Sequence, residues 1–484
     1  MSRVISLWRV ATGLIALILV TTATTVAQQP DRAQAPTPGA PPALKIPPIQ
    51  KRVLRNGVPV WVIESHEVPL VQVNLLVLAG AGDDPGGKYG LASLTAAMLT
   101  EGAGTRSSLA IDDEVDYLGA SLTTASSFDA SAIRLNAPVA QLGAALAVMA
   151  DVALRPTFPQ AELDRVRKER ITAIQQARDD AESVVPLAFQ RAVFGPQHRY
   201  GTAAVGTEAS LTALSTADLR AFHQRWYQPT QARLIVVGDI SATDAVARLD
   251  RVFGGWVATA PVRRAPVATA PQLQQRQIVI VDMPEAAQSQ IRIGWVGVSR
   301  ATPDFFPLEV LNTVLGGSFS SRLNQNLREE HQYTYGAASR FDMRRSPGPF
   351  LAAAGVQTDK TAEALREFFH ELDRIQEPIP DEELTRTKNF LALGFPADFE
   401  TTRDLSIRLE ELAVYGLPDT YFAQYIPNIQ GVTSAAARAA AMKYLDSSRF
   451  AVVVVGDRKV IEPRIRALNL APVRVMSVEE ALDK

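Results

Sequence analysis

The chain has 484 residues, of which 47% are hydrophobic and 21% are charged, and its formal net charge is -2. This length exceeds what one hydrophobic core supports and predicts at least two domains, while the near-neutral charge argues against a nucleic-acid-binding protein. Because the sequence contains no cysteine, disulfide bonds, thiolate metal ligands and lipid attachment to a cysteine are excluded.

The N-terminal residues 1–27 have the pattern of a secretory signal peptide. Arg3 and Arg9 precede a short apolar stretch at residues 11–20, and Thr25-Val26-Ala27 supplies the small residues of a cleavage site. The apolar stretch is shorter than the roughly 20 residues of a transmembrane helix, so an uncleaved anchor is the weaker alternative. We therefore expect a protein that is periplasmic or otherwise exported, with the signal peptide cleaved. Residues 28–50, rich in proline and alanine, are predicted to form an extended linker.

The remainder of the chain contains two copies of one unit. A β-branched segment that ends in Gly-Asp occurs at residues 233–239 and recurs at 450–457, about 220 residues later. In both copies a helix is predicted to begin where proline and acidic residues occur together, at Pro159 and Pro380. A repeat this long indicates tandem domains and not a solenoid of short repeats.

The two copies also share one order of predicted elements: a strand, a helix, a longer strand-like stretch and a pair of long helices. The first three of these are predicted at residues 71–78, 90–99 and 121–137, and again at 290–298, 305–314 and 335–357. This order predicts an α+β fold of two homologous tandem domains, each an antiparallel-rich sheet covered by helices on one face. The domains are predicted at residues 51–253 and 273–475, with a linker at 254–272.

The segment Gly90-Leu91-Ala92-Ser93-Leu94-Thr95-Ala96-Ala97-Met98 resembles a motif of the pitrilysin/insulinase family, the inverted zincins that include processing-peptidase-like proteins. In that family the segment reads G-L-A-H-x-x-E-H-M, in which two histidines bind zinc and the glutamate is the general base. In this chain those positions are Ser93, Ala96 and Ala97. A hydroxyl and two methyl groups can perform neither task.

The resemblance also locates a further zinc ligand, a glutamate in a helix that reads E-R-x-x-x-x-x-E. The matching helix contains Glu169 and Arg170, and the ligand position is Gln176, whose neutral amide is a poor zinc ligand. The five histidines of the chain are spaced too irregularly to form a metal-binding pair on one helix, and we interpret them as structural or surface residues. The resemblance therefore implies a family member that binds no catalytic zinc and needs no cofactor of its own.

A second motif lies in the C-terminal copy. Residues 315–323 read L-G-G-S-F-S-S-R-L, followed by Arg328 and Tyr335, and the segment resembles the family's L-G-G-x-x-S-S-R-L…L-R-E…x-Y. In relatives, the arginine and tyrosine that match Arg328 and Tyr335 reach the active site of the catalytic half, where such groups stabilise negative charge on a carbonyl oxygen. The backbone of Gly316, Gly317, Ser318 and Phe319 is predicted to contact a bound peptide, because glycine allows close approach and positive φ.

Together these features predict a non-catalytic subunit of a periplasmic, heterodimeric zinc endopeptidase. The partner would carry H-x-x-E-H and the zinc, and this chain would contribute Arg328, Tyr335 and part of the cavity wall, acting on peptides or unfolded proteins. Such a chain is expected to be inactive alone. The alternative is a peptide-binding or structural scaffold with no part in hydrolysis, and a third reading is an autonomous zinc peptidase.

Overall fold

The computed structural model describes residue 39 and residues 44–483. The predicted signal peptide and most of the predicted linker at 28–50 lie outside the described residues. Within the part that is described, no helix is long and apolar enough to cross a membrane.

The strands of the first half form one six-stranded sheet and a separate two-stranded hairpin, β4 and β5. In chain order they are β1 (Gln50–Val53), β2 (Pro59–Glu64), β3 (Leu70–Val77), β4 (Gly102–Ala103), β5 (Arg106–Ser107), β6 (Ser121–Ser126), β7 (Ser131–Pro138) and β8 (Ala232–Gly238). The large sheet has the order β1-β2-β8-β3-β7-β6. All of its neighbouring strands are antiparallel except the parallel pair β2 and β8.

The second half repeats this sheet with one change at its edge. Its strands are β9 (Gln277–Asp282), β10 (Gln288–Val296), β11 (Thr334–Phe341), β12 (Pro349–Gln357), β13 (Ala451–Gly456) and β14 (Val473–Met476), in the order β11-β12-β10-β13-β9-β14. The edge strand β14 comes from the C-terminal end and runs parallel to β9, whereas β1 precedes β2 and is antiparallel to it. The predicted strand-like stretches at 121–137 and 335–357 each contain two antiparallel strands.

Helices account for most of the remaining chain. In the first half they are Leu91–Met98, Ser108–Tyr117, Leu142–Leu154, Gln160–Ala177, Ala181–Phe194, Glu208–Ala213, Thr216–Trp226 and Ala242–Phe253. In the second half they are Phe305–Asn312, Arg322–Asn324, Thr361–Arg374, Asp381–Gly394, Thr402–Tyr415, Tyr421–Gly431, Ser434–Tyr444, Arg458–Ala467 and Val478–Asp483, with π-helical turns at Thr313–Gly317 and Gln325–Glu330. As predicted, one helix begins directly after Pro159 and another after Pro380. Residues 254–276 contain no helix or strand.

The α+β class with two homologous sheets is confirmed, and each sheet also carries on its other face a helix from the opposite half. In β2, Val60 and Val62 pack into the core of the first half, whereas Trp61 and Ile63 pack into the core of the second half. The helix Thr402–Tyr415 of the second half lies against β3 and β8. Both faces of the sheet are therefore covered and need apolar residues. Because neighbouring residues of a strand point to opposite faces, successive residues of a central strand are all apolar.

The reverse arrangement holds for the second sheet. The helix Ala181–Phe194 of the first half packs against β10 and β13, where Val453 and Val455 join its buried residues in one apolar cluster. The next residues along the same strand, Val452 and Val454, face the core of the second half. This reciprocal covering explains the continuous valine run of β13, and residues 44–483 accordingly belong to one compact unit.

Candidate functional site

The helix Leu91–Met98 is held firmly at its N-terminus. It follows Gly90, whose φ of 88° is left-handed, and the carboxylate of Asp84 accepts hydrogen bonds from the backbone N–H groups of Gly90 and Ala92, both at 2.8 Å. Arg199 also donates to Asp84 at 2.9 Å. Burial raises the pKa of Asp84 to about 6. Together with the buried Leu91, Leu94 and Met98, these contacts give the segment a structural role.

The positions that match the zinc motif hold side chains that do not fit a metal ion. Ser93 and Ala97 are half-buried one helical turn apart, and Ala96 is buried. The guanidinium of Arg170 donates to the Ser93 hydroxyl at 3.1 Å and to the Ser93 carbonyl oxygen at 3.0 Å. Gln176, further along the helix of Arg170, is exposed. A cationic guanidinium beside a hydroxyl, two methyl groups and an amide supplies none of the anionic or imidazole ligands that zinc requires.

The histidines do not form a replacement site. Among the described residues, no three His, Cys, Asp or Glu side chains are grouped so that they could hold a metal ion. Four of the five histidine rings are engaged individually, with the Asp239 carboxylate or with the backbone oxygens of Ala268, Ala153 and Asn326, at 2.6–3.0 Å; these are His66, His198, His223 and His331. The fifth, His370, is exposed.

The second motif is partly structural and partly exposed. Leu323 and Leu327 are fully buried, and Arg322 forms a bidentate ion pair with Glu383 through bonds of 2.9 and 2.7 Å. These residues fix the short helix Arg322–Asn324 and the π-helical turn that follows it. In contrast, the side chain of Arg328 is 37% exposed, and Tyr335 on β11 is 88% exposed.

The exposed side chains are still ordered by local contacts. The guanidinium of Arg328 lies 4.5 Å from the centre of the Phe319 ring, within cation–π range, and its Nε is 3.4 Å from a carboxylate oxygen of Glu329. The Phe319 ring is itself 63% exposed. Phe319 and Arg328 thus form one stacked surface pair near the N-terminal end of the edge strand β11, which carries Tyr335.

The glycine pair allows close packing within the chain itself. Neither Gly316 nor Gly317 adopts a positive φ. Gly316 is buried against β11, and a methyl group added to it would lie 2.3 Å from the backbone nitrogen of Ser339. A methyl group on Gly317 would lie 2.8 Å from the Asn312 amide nitrogen. The close approach at Gly316 is therefore to the chain's own strand. Ser318 is half-buried, and Gly317 and Phe319 are exposed.

Sequence reasoning missed two residues that organise these places. Arg170 was recognised only as part of a helix pattern, although it is the residue that contacts Ser93. Asn324 was not singled out, although its buried side chain contacts both Phe319 and Ala337. Its position between Leu323 and Leu327 in a motif rich in buried residues was the available signal.

Comparison with known proteins agrees with the family resemblance of both motifs. Residues 60–203 match the family model described as insulinase (peptidase family M16), and residues 213–391 match the model described as peptidase M16 inactive domain. The chain is 24% identical over 357 residues to YmxG of Bacillus subtilis, described as an uncharacterized zinc protease, covering 73% of this chain and 85% of that one. It is 23% identical over 433 residues to a similarly described Mycobacterium bovis protein, covering 89% and 98%.

Solved structures show the same fold. A peptidase M16 inactive domain from Pseudomonas fluorescens superposes with a TM-score of 0.79 at 25% identity, covering 84% of this chain and 98% of that one. The periplasmic protease PqqL from Escherichia coli gives a TM-score of 0.72 at 17% identity, covering 92% of this chain and 51% of that one. The chain therefore belongs to the insulinase family of peptidases, peptidase family M16.

Proposed function

We propose that this chain is an exported, non-catalytic subunit of a heterodimeric zinc endopeptidase. Its partner is a homologous chain that carries H-x-x-E-H and the zinc ion. This chain contributes Arg328 and Tyr335 to the partner's active site, together with part of the wall of the enclosed cavity. Peptides and unfolded segments are the substrates, because a closed cavity between two such subunits excludes folded proteins.

The observation that carries this proposal is the contrast between the two motifs. The first holds an arginine and no metal ligands around Ser93, so this chain cannot activate water at that position. The second presents Arg328 and Tyr335 on the surface, at 37% and 88% exposure. A guanidinium and a phenol that are exposed at the surface can donate hydrogen bonds to the oxygen that becomes negative during amide hydrolysis.

The comparison with PqqL supports the two-subunit arrangement. This chain covers 51% of PqqL, so two chains of this length together are about as long as that single-chain protease. PqqL is described as periplasmic, which agrees with the signal-peptide pattern at residues 1–27. Both features support export and pairing with a second family member.

The test is reconstitution with a homologous H-x-x-E-H chain encoded by the same genome. Zinc content and cleavage of a quenched fluorescent peptide are measured for each chain alone and for the mixture. We expect cleavage by the mixture only, and a loss of about 10²–10³-fold in kcat when Arg328→Ala and Tyr335→Phe are combined. The matched controls are Arg386→Ala and Tyr117→Phe, which alter an exposed arginine and a tyrosine that is 89% exposed.

Three results would overturn the proposal in different ways. Wild-type activity of the mixture with the Arg328 and Tyr335 double variant would remove these residues from the chemistry. A mixture no faster than the partner alone would favour the scaffold alternative. Stoichiometric zinc in the purified single chain, with peptide cleavage that a chelator abolishes, would show an autonomous peptidase.

A further inference from the structure

Asn324 connects the segment that carries the stacked pair of Phe319 and Arg328 with the strand β11, which carries Tyr335. Its side chain is only 4% exposed. The amide nitrogen Nδ2 donates a hydrogen bond to the carbonyl oxygen of Phe319 at 2.7 Å, and the amide oxygen Oδ1 accepts one from the backbone N–H of Ala337 at 3.1 Å. One buried amide thus joins the loop before its helix to the edge strand β11.

The Ala337 contact lies at an irregularity of that strand. The pairing of β11 with β12 shifts between Thr334 and Ala337, so that one extra residue is accommodated where Tyr335 and Gly336 lie. Such a bulge changes the direction of the side chains it contains. Because β11 is the outer strand of its sheet, the N–H of Ala337 has no neighbouring strand in the described structure to bind, and Asn324 supplies its acceptor.

The other end of the amide contact fixes the stacked pair. Phe319 is held through its carbonyl oxygen, and its ring receives the guanidinium of Arg328 at 4.5 Å. Arg328 follows Asn324 by four residues, within the π-helical turn Gln325–Glu330. Backbone hydrogen bonds from Gln332 to Arg328 and from Tyr333 to Leu327 also join this turn to the residues just before β11, and Asn324 adds a side-chain link that contacts both segments.

We propose that Asn324 is a positioning residue that sets the placement of Arg328 and Tyr335 relative to each other. The proposal rests on the proposed function, in which those two side chains act together on one substrate carbonyl group. Asparagine suits this role because its amide offers one acceptor and a donor at fixed separation. Leucine has a similar size and offers neither, and aspartate keeps an acceptor for Ala337 but places an oxygen against the Phe319 carbonyl.

The chain provides a matched control in Asn326. It is 6% exposed, belongs to the adjoining π-helical turn, and donates to Glu371 and Glu367 at 3.0 and 3.1 Å. It makes no hydrogen bond to Phe319 or Ala337 among the described residues. Asn326→Leu therefore removes a buried amide of the same kind while the link between the two segments stays intact.

The first measurement is hydrogen–deuterium exchange of the intact chain, followed in the peptide that contains residues 333–341. We expect Asn324→Leu to raise exchange at Ala337 about tenfold or more, because the backbone N–H of Ala337 loses the acceptor that Asn324 supplies. Asn324→Asp should leave this exchange within a few-fold of wild type, and Asn326→Leu should not raise it selectively. Equal exchange in Asn324→Leu and Asn326→Leu would overturn the proposal.

The second measurement is peptide cleavage by the reconstituted pair. Asn324→Leu should lower kcat about 10–100-fold with little change in KM, because misplaced donors weaken transition-state contacts while substrate binding to the partner persists. Asn326→Leu should retain kcat. If Arg328→Ala lowers kcat and Asn324→Leu behaves as Asn326→Leu, the positioning proposal alone is wrong. If Arg328→Ala and Tyr335→Phe together leave kcat unchanged, the proposed function fails instead.

Discussion

The contact between the two halves can be tested at Glu410, a residue of the helix Thr402–Tyr415 that is 7% exposed. Its carboxylate receives two hydrogen bonds from the guanidinium of Arg134 on β7, at 2.8 and 2.6 Å. It also accepts one from the amide of the fully buried Asn74 on β3, at 2.7 Å. Glu410 therefore binds two strands of the first sheet to a helix of the second half.

Replacing Glu410 by alanine leaves the partly buried guanidinium of Arg134 without this acceptor, whereas the amide of Asn74 keeps its second acceptor, the hydroxyl of Ser406 at 3.0 Å. Removing one partner of a buried ion pair costs about 3–5 kcal/mol, and the 26% exposure of the Arg134 side chain places the expectation near the lower limit, about 3 kcal/mol. At roughly 2.1 cal/mol/K per residue, about 440 residues give an unfolding entropy near 0.9 kcal/mol/K. The expected fall in Tm is therefore about 3 °C, and about half of that for Glu410→Gln.

Differential scanning calorimetry and urea unfolding measure this effect. The matched control is Asp419→Ala, because the pair of Asp419 with Lys51 also joins the two halves at 2.7 Å but has side chains that are 48% and 46% exposed. Such a surface pair contributes about 0–1 kcal/mol. A double-mutant cycle with Arg134→Met isolates the pair. A Glu410→Ala shift no larger than that of Asp419→Ala would refute the assignment of this contact as a buried link.

Three further predictions concern packing and protonation. Gly316→Ala should lower the unfolding free energy by about 2–3 kcal/mol or more, because the added methyl group would clash with Ser339. Gly336→Ala is the control and should have little effect on Tm, since the nearest heavy atom to its methyl group would be 3.9 Å away. Phe189→Ala should cost about 3–5 kcal/mol and speed hydrogen exchange in the second sheet, although Phe189 belongs to the first half. Burial raises the pKa of Glu309 to about 7; the folded state then holds the proton more tightly, so this group lowers stability by up to about 3 kcal/mol as pH rises from about 4.5 to 7. In urea titrations at pH 5 and pH 8, Glu309→Gln should reduce the fall in stability without abolishing it, because burial also raises the pKa of Asp84 to about 6.

The sequence was sufficient for the elements and the repeat, because both depend on local pattern. Strands beginning near Val71 and Gln290 were predicted to within about two residues, which is the usual uncertainty of element ends. The helix starts after Pro159 and Pro380 follow from backbone geometry at proline. The reciprocal covering of the sheets was missed, since a run such as that of β13 shows burial on both faces but does not say which helix supplies the second layer.

The candidate site was likewise predictable from the sequence only in part. The absence of zinc ligands could be read from Ser93 and Ala97 directly, because ligand chemistry depends on residue type. The contact of Arg170 with Ser93 and the bridge made by Asn324 could not, since each joins residues that only the folded chain brings together. The role of Gly316 is undetermined from sequence for a related reason: glycine permits both unusual torsions and close packing, and the sequence alone does not distinguish them.

The two motifs differ in how much of each the fold itself requires. The first can lose its ligands at little cost to folding, because Leu91, Leu94 and Met98 keep the helix in the core and Asp84 caps it. In the second, Gly316, Arg322 and Leu323 are explained by packing, but Arg328 and Tyr335 are not, since their exposed side chains bury little surface. An exposed tyrosine and a stacked arginine contribute little to stability. The proposed function, in which both side chains act at the active site of a partner, gives a reason for their exposure.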